Sequence, residues 1–248
     1  LPKPTLYVFT ISHYCEKARW ALDYFGIDYD LRPIAPGVHA KVAQKLKCRK
    51  SSVPILVNGA EVIQDSTHII SWAEENTTND KPSLLPPEYK DEVEEIEKRL
   101  DDISGVHIRR LFYSEALVNY PETVKPIFLS GIPFWQRLLV HWKWNFIRNR
   151  MIKLMDLGDK QYQDSKNIIA DEIKWLDELA SKGSDYLVGD KLTRADLALA
   201  SLYGPLVDPV EHPIKGSIIL PPNLKNETRE WLSRPSMMLV REIYKKHR

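Results

Sequence analysis

Over residues 5–76 the apolar positions switch back and forth between two periods. Leu6-Tyr7-Val8-Phe9 is a short apolar run of the kind a buried strand presents. Tyr14, Ala18, Ala21, Leu22 and Phe25 then recur at a spacing that lines one face of a helix. Ile27, Tyr29 and Leu31 alternate with Asp28, Asp30 and Arg32 as far as Pro33, a period of two that predicts a second strand. A strand, helix, strand succession of this length favours a parallel pair with a right-handed crossover. Val38, Val42 and Leu46 predict another helix, and Ile55-Leu56-Val57 and Glu61-Val62-Ile63 flank Asn58-Gly59, a strong signal for an antiparallel hairpin. Asp65-Ser66 ahead of Ile69, Ile70 and Ala73 reads as a capped third helix. The predicted unit is βαβαββα.

Between Asn76 and Lys90 periodicity stops and Pro82, Pro86 and Pro87 appear. This predicts a first domain over 1–78, a linker over 79–90 and a second domain over 91–248. The second domain is expected to be all-α, with one stripe of Val93, Ile96, Leu100 and Ile103 and another of Ile169, Ile173, Leu176 and Ala180. Glu88, Asp91, Glu92, Glu94, Glu95, Glu97, Asp101 and Asp102 crowd its first helix, which reads as a solvated face before a partner surface. In Leu192-Thr193-Arg194-Ala195-Asp196-Leu197, Thr193 and Asp196 can exchange hydrogen bonds as a capping box, with Leu192 packing on Leu197. The helix that follows is apolar on nearly every side and is therefore expected to be central, with Gly204-Pro205 ending it.

Composition narrows the function. Lys plus Arg (35) and Asp plus Glu (34) cancel to +1, so no whole-chain basic field draws in nucleic acid. The two cysteines, Cys15 and Cys48, are too few for a disulfide framework and lack metal-ligand spacing, which favours a reducing, cytoplasmic compartment and no metal. The first residues carry no basic-then-apolar signal pattern. The longest uncharged apolar stretches, 126–136 and 197–207, are far shorter than the ~20 residues of a membrane span.

Three motifs bear on chemistry. Ser12-His13-Tyr14-Cys15 lies between the first strand and the first helix. Ser52-Val53-Pro54-Ile55-Leu56-Val57-Asn58-Gly59 leads into Ile63-Gln64-Asp65-Ser66-Thr67-His68-Ile69-Ile70. The third is the capped helix at Thr193. Together they resemble the cytosolic glutathione S-transferase family, in a theta-like form with a serine-type site. The resemblance implies a thioredoxin-like N-terminal domain, an all-helical C-terminal domain, and glutathione bound in the cleft between them.

Physical chemistry makes sense of those residue types. A thiol of pKa ~8.5 is only slightly ionised near neutrality, so something must favour the anion. A serine hydroxyl at a helix start can donate to a thiolate, and the free N–H groups and partial positive charge of the helix end act in the same direction. Alone, Ser12 reads equally as a helix N-cap; the resemblance implies that it stabilises the glutathione thiolate. Cys15 is the competing nucleophile, although an unpaired helix cysteine is more often a small buried hydrophobe. Aligned on Cys15, Val8 rather than Tyr7 falls at the position of the catalytic tyrosine in other classes, which disfavours a tyrosine-type mechanism.

The resemblance further implies a cis Val53-Pro54 bond whose Val53 backbone pairs with the glutathione backbone, and a γ-glutamyl site at Asp65 and Ser66. The glycyl carboxylate is expected at His39, with Lys50 or Lys41 contributing, because Ser51-Ser52 stands where some relatives have lysines. His13, which replaces a common proline, is either a partly exposed loop imidazole or a part of the electrophile site. Trp135, Leu138, Trp142 and Phe146 fit a helix stripe, interleaved with Arg137, Lys143, Arg148, Arg150 and Lys153. Three readings of this segment are, in order, bundle core, electrophile-pocket wall (Trp135 and Trp142), and peripheral contact with a membrane surface. The expected activity is conjugation of glutathione to hydrophobic electrophiles, a detoxification reaction, by a homodimer. The alternatives are a non-catalytic binding or regulatory protein and a glutathione-dependent thiol oxidoreductase or peroxidase.

Overall fold

Leu6 and Val8 are buried on β1 (Thr5–Val8), and Ile55 and Leu56 are buried on β3 (Ile55–Asn58), so these two strands form the middle of the sheet. The computed structural model describes residues 3–248. Between β1 and β3 come α1 (His13–Tyr24), β2 (Asp30–Pro33) and α2 (Val38–Lys45); β4 (Glu61–Gln64) and α3 (Ser66–Asn76) follow. The sheet order is β2-β1-β3-β4. Strand β2 runs parallel to β1, with Thr5 opposite Asp30. Strands β1 and β3 are antiparallel, with Leu6 opposite Leu56, and the β3–β4 hairpin closes with Asn58 opposite Glu61. Gly59, at φ +62°, supplies the left-handed turn residue that a side chain would disfavour.

Strand β2 starts three residues later than the alternation from Ile27 suggests. Among the described residues it pairs with β1 alone, which begins at Thr5, and the Asp30 N–H donates to the Pro4 carbonyl (2.8 Å) where pairing starts. Helix α1 buries Ala18, Ala21, Leu22 and Phe25 as its spacing requires. Helix α3 buries Ile69, Ile70 and Ala73, and Lys17 of α1 donates to the Thr67 hydroxyl at its start (3.4 Å).

Beyond Lys81 regular structure is helical: α4 (Lys90–Arg99), α5 (Gly105–Asn119), α6 (Pro121–Leu129), α7 (Phe134–Met155), α8 (Asp159–Ala180), α9 (Arg194–Val207), α10 (Pro222–Trp231) and α11 (Pro235–His247). Val93, Ile96 and Leu100 are buried, as are Ile169, Ile173 and Leu176. One wide π-type turn, Leu100–Ser104, carries α4 into α5. There the Ser104 hydroxyl donates to Glu172 (3.2 Å), Arg99 pairs with the same carboxylate (2.7 Å), and the Tyr203 hydroxyl donates to Ser104 (3.2 Å). A buried charge with this many partners avoids the full penalty of desolvation.

By spatial grouping, the chain up to Lys81 and Lys125–Arg150 form one unit, and Pro82–Val124 with Met151–Arg248 form the other. The segment 125–150, which the sequence groups with the helical region, thus packs within the first unit. Its expected core stripe is a correction. Trp142 is 85% exposed and Trp135 59%, while Leu138 and Phe146 are also open to solvent. The face that packs instead carries Gln136, Val140 and Trp144. Gln136 accepts the Ala35 N–H (2.8 Å), and Trp144 lies 5.9 Å from the Phe128 ring, so the opposite stripe has the packing partners.

Helix α9 is buried along almost its whole length, and its start is the capping box that the sequence predicts. The Asp196 carboxylate accepts from Thr193 N (2.9 Å), the Thr193 hydroxyl (2.7 Å) and Leu187 N (2.7 Å), while Asp196 N donates to Thr193 Oγ1 (3.5 Å). Gly204-Pro205 does not end the helix, which continues to Val207 and stops at Asp208 in the left-handed region. Packing on both sides outweighs the ~3 kcal/mol a helix-interior proline usually costs. A Cβ on Gly204 would lie 2.6 Å from the Tyr244 hydroxyl of α11, so glycine is there for close packing.

Burial pushes the Asp196 carboxyl from an ordinary 3.8 up to about 6, against the pull of its donors. Removing the side chain in Asp196→Ala strands two buried N–H groups and is expected to cost roughly 2–4 kcal/mol in urea titrations. The pH dependence has a definite sign. Because the folded value lies above the unfolded one, this group favours folding most below its ordinary value, and that contribution is lost as pH rises through the folded value of about 6. The stability of the wild type relative to Asp196→Asn should therefore fall by up to roughly 3 kcal/mol across that window and stay flat above it.

Candidate functional site

The antiparallel β1–β3 pairing brings the exit of β1 beside the entrance of β3. With β2 parallel to β1 and β4 antiparallel to β3, the exits of β2 and β4 share the same end of the sheet. The segments 9–12, 34–37, 50–54 and 65–66 therefore gather there. They carry Ser12, Lys50, Val53-Pro54 and Asp65-Ser66, with His39 close by in sequence.

Ser12 is the N-cap of α1, and its hydroxyl oxygen accepts the Cys15 N–H at 3.4 Å. The Ser12 N–H donates to Phe9 O (3.0 Å) and its carbonyl accepts from Glu16 N (3.0 Å), which fixes the turn out of β1. The same hydroxyl lies within hydrogen-bond reach of the Cys15 thiol. Cys15 is fully buried, and burial pushes its thiol up to about 11; the Ser12 hydroxyl and a backbone hydrogen bond at Phe9 pull the other way and do not offset it. A thiol so placed is held protonated near neutral pH. His13 is not a partly exposed loop residue: it is the first residue of α1, buried, with its ring 4.6 Å from Tyr14. The helix start draws it inward because Ser12, not His13, occupies the cap.

The Val53-Pro54 peptide bond is cis. The Pro54 carbonyl accepts the Asp65 N–H (3.3 Å), tying the entrance of β3 to the start of α3. Asp65 caps α3 by accepting from Thr67 N (3.0 Å), with φ +89° and ψ 141°. A residue with a side chain is strained there by roughly 1–3 kcal/mol, and such strain persists where neighbouring structure holds it and clusters at ligand sites. The Asp65 carboxylate is exposed, whereas Ser66 is buried at the first turn of α3. Two helix N-termini, those of α1 and α3, thus lie in this region, and each brings partial positive charge to it.

Gln64 was quoted in the sequence motif without a role. Its amide donates to Lys50 O (2.8 Å) and Ser52 O (2.8 Å) and accepts from Lys50 N (3.2 Å), clamping the loop that leads into Val53. Its only sequence signal is an amide side chain at the end of β4. Lys50 itself is exposed, so its ammonium is open to solvent while its backbone is fixed. His39 stands in the first turn of α2, where Nδ1 accepts the Gly37 N–H (2.9 Å) and the ring meets Phe9 edge-on at 4.8 Å. Burial lowers its pKa, against a hydrogen bond at the Ala35 backbone that raises it.

Of the aromatic candidates, Trp135 and Trp142 stand on the exposed face of α7, apart in character from buried His13. The turn between α6 and α7 does reach the loops of the sheet end. Thr10 donates to Ser130 O (3.1 Å), and a Cβ on Gly131 would lie 3.4 Å from Pro33 and 3.5 Å from Thr10.

Residues 6–81 match the family model described as glutathione S-transferase, N-terminal domain. Solved structures share the fold along nearly the full length. Glutathione transferase GSTFuA2 from Phanerochaete chrysosporium is 15% identical at TM-score 0.66, covering 100% of this chain and 99% of that one. The beta-etherase LigF from Sphingobium sp. strain SYK-6 is 18% identical at TM-score 0.60, covering 96% and 98%. A glutathione S-transferase from Methylobacillus flagellatus KT with glutathione bound is 17% identical at TM-score 0.56, covering 96% and 98%. No curated protein sequence matches the chain. The chain thus carries a glutathione S-transferase N-terminal domain over residues 6–81 and shares the fold of these solved structures along its length.

Proposed function

We propose that the protein is a glutathione transferase of serine type, which binds glutathione at the sheet end and joins its sulfur to hydrophobic electrophiles. The Ser12 hydroxyl donates to the glutathione sulfur and holds it as the thiolate. The sulfur lone pair then forms a carbon–sulfur bond with the electrophile, whose leaving group departs with its electron pair. The Val53 backbone pairs with the peptide backbone of glutathione beside Pro54. The Asp65 carboxylate meets the α-ammonium, and Ser66 with the start of α3 meets the γ-glutamyl carboxylate. Lys50 and the His39 Nε2–H serve the glycyl carboxylate. The observation that carries the reading is the hydrogen bond from Asp65 N to Pro54 O, which joins the two expected glutathione-binding segments on the side of the sheet where Ser12 caps α1. The protein is expected to act as a homodimer in the cytoplasm, which sedimentation velocity and fractionation test.

The thiol-oxidoreductase alternative needs an accessible, low-pKa Cys15, and full burial with a thiol near 11 argues against it. Calorimetric titration with glutathione tests the foundation: absence of binding at millimolar concentration removes the proposal. Binding without turnover on a panel of aryl halides and other electrophiles would favour the non-catalytic alternative.

Ser12→Ala should raise the pKa of bound glutathione by roughly one to two units, since a hydrogen bond to an anion is worth about 1.5–3 kcal/mol. Cys15→Ala should leave that titration in place. Thiolate absorbance against pH reads both directly; an unchanged Ser12→Ala titration combined with loss of turnover in Cys15→Ala would assign the chemistry to Cys15.

Asp65→Gly separates binding from folding. Glycine relaxes the strained backbone and costs the helix cap only a few tenths of a kcal/mol, so denaturation should show stability unchanged or up by about 1 kcal/mol. Glutathione affinity should nevertheless fall about tenfold or more with the carboxylate gone. Unchanged affinity would remove Asp65 from the γ-glutamyl site.

A further inference from the structure

Helix α7 has an exposed apolar face that neither the fold nor the proposed chemistry uses. Phe134, Leu138, Trp142 and Phe146 repeat at intervals of four, with Trp135 beside them; at about 100° per residue the five fall within an arc of about 120°. All five are solvent-exposed, with Phe134 at 73% and Phe146 at 66%. A contiguous patch of large rings on a helix differs from the scattered surface apolar residues that need no explanation. Arg137 and Arg148 flank the arc on one side, and Lys143 and Arg150 on the other. From Thr123 to Met155 the sequence contains no Asp or Glu.

We propose that this face of α7 docks flat on an anionic lipid surface. Indole and phenyl rings settle at the boundary between headgroups and acyl chains, while flanking guanidinium and ammonium groups meet the phosphates. Charge decides between this occupant and a second copy of the chain. A symmetric pairing through α7 would set an acid-free face against itself, with Arg137, Lys143, Arg148 and Arg150 brought near their equivalents. An anionic surface answers both the rings and the cations. No helix among the described residues is long and apolar enough to cross a membrane, so the contact is peripheral. The proposal is independent of the glutathione reading.

Co-sedimentation of the purified chain with phosphatidylcholine vesicles, with and without phosphatidylserine, tests it. The expected result is partitioning onto the phosphatidylserine vesicles, weakened by added salt. Removing two flanking cations in Lys143→Gln with Arg150→Gln should weaken it roughly 25-fold, from about fivefold per cation. Trp142→Ser with Phe146→Ser should abolish it, with unchanged circular dichroism and thermal melting showing that both variants remain folded. No binding to either vesicle type overturns the proposal, as does binding that both variants retain. A dimer in sedimentation velocity that Trp142→Ser with Phe146→Ser converts to monomer would instead assign the face to a second copy, and overturns it equally.

Discussion

The antiparallel pairing of β1 with β3 determines which loops meet. A strand beside a parallel partner leaves both exits at one end, and a strand beside an antiparallel partner puts its exit next to the other's entrance. Here β1 has one neighbour of each kind, so one end of the sheet collects the turn into α1, the loop into α2, the loop ahead of β3 and the turn into α3. A one-residue slip between β1 and β3 would turn Leu6 and Leu56 out of the core, so burial locks the register that assembles the site.

The electrostatic character of that end follows from the same connectivity. Both α1 and α3 begin there, each capped by a side chain, so two helix N-termini bring partial positive charge to this end of the sheet. Only His13 and Tyr14 separate Ser12 from Cys15, yet their environments differ in kind. Ser12 is at the half-buried lip of the helix, where a hydroxyl can turn toward a ligand; Cys15 is one turn inside, where desolvation outweighs every favourable partner. The contrast between the two side chains at this turn is therefore one of depth: burial keeps the Cys15 thiol protonated, while Ser12 stays half-exposed.

The hairpin at Asn58-Gly59, the cap at Asp65 and the capping box at Thr193 were all legible because each depends on residues adjacent in sequence whose side chains act on their own backbone. The limits of β2 were not legible, since pairing ended where its neighbour ended and no local signal carries that information. The end of α9 was misread at Gly204-Pro205 for the reverse reason: a local breaking signal was overridden by α11, whose Tyr244 needs the missing Cβ of Gly204. Gln64 has no local signal for its role because its two partners, Lys50 and Ser52, lie more than ten residues away. Local hydrogen-bond chemistry is written along the chain, whereas partnership across it is not.

Helix α7 shows the ambiguity in its sharpest form, because it carries apolar residues on two opposite faces. A helix with one apolar stripe points to its core; a helix with two gives a periodic signal whose contributions cancel. The stripe richer in rings is the natural choice for the interior, and the protein buries the other one. Gln136 belongs to the inward face, where its amide oxygen accepts the buried Ala35 N–H. Once Gln136 faces inward, Val140 and Trp144 follow it at intervals of four, and the face with Trp135 and Trp142 must turn outward. The distribution of charge is consistent with that rotation, since arginines and lysines border the outward stripe, where their heads reach water or phosphate, and are missing from the inward one.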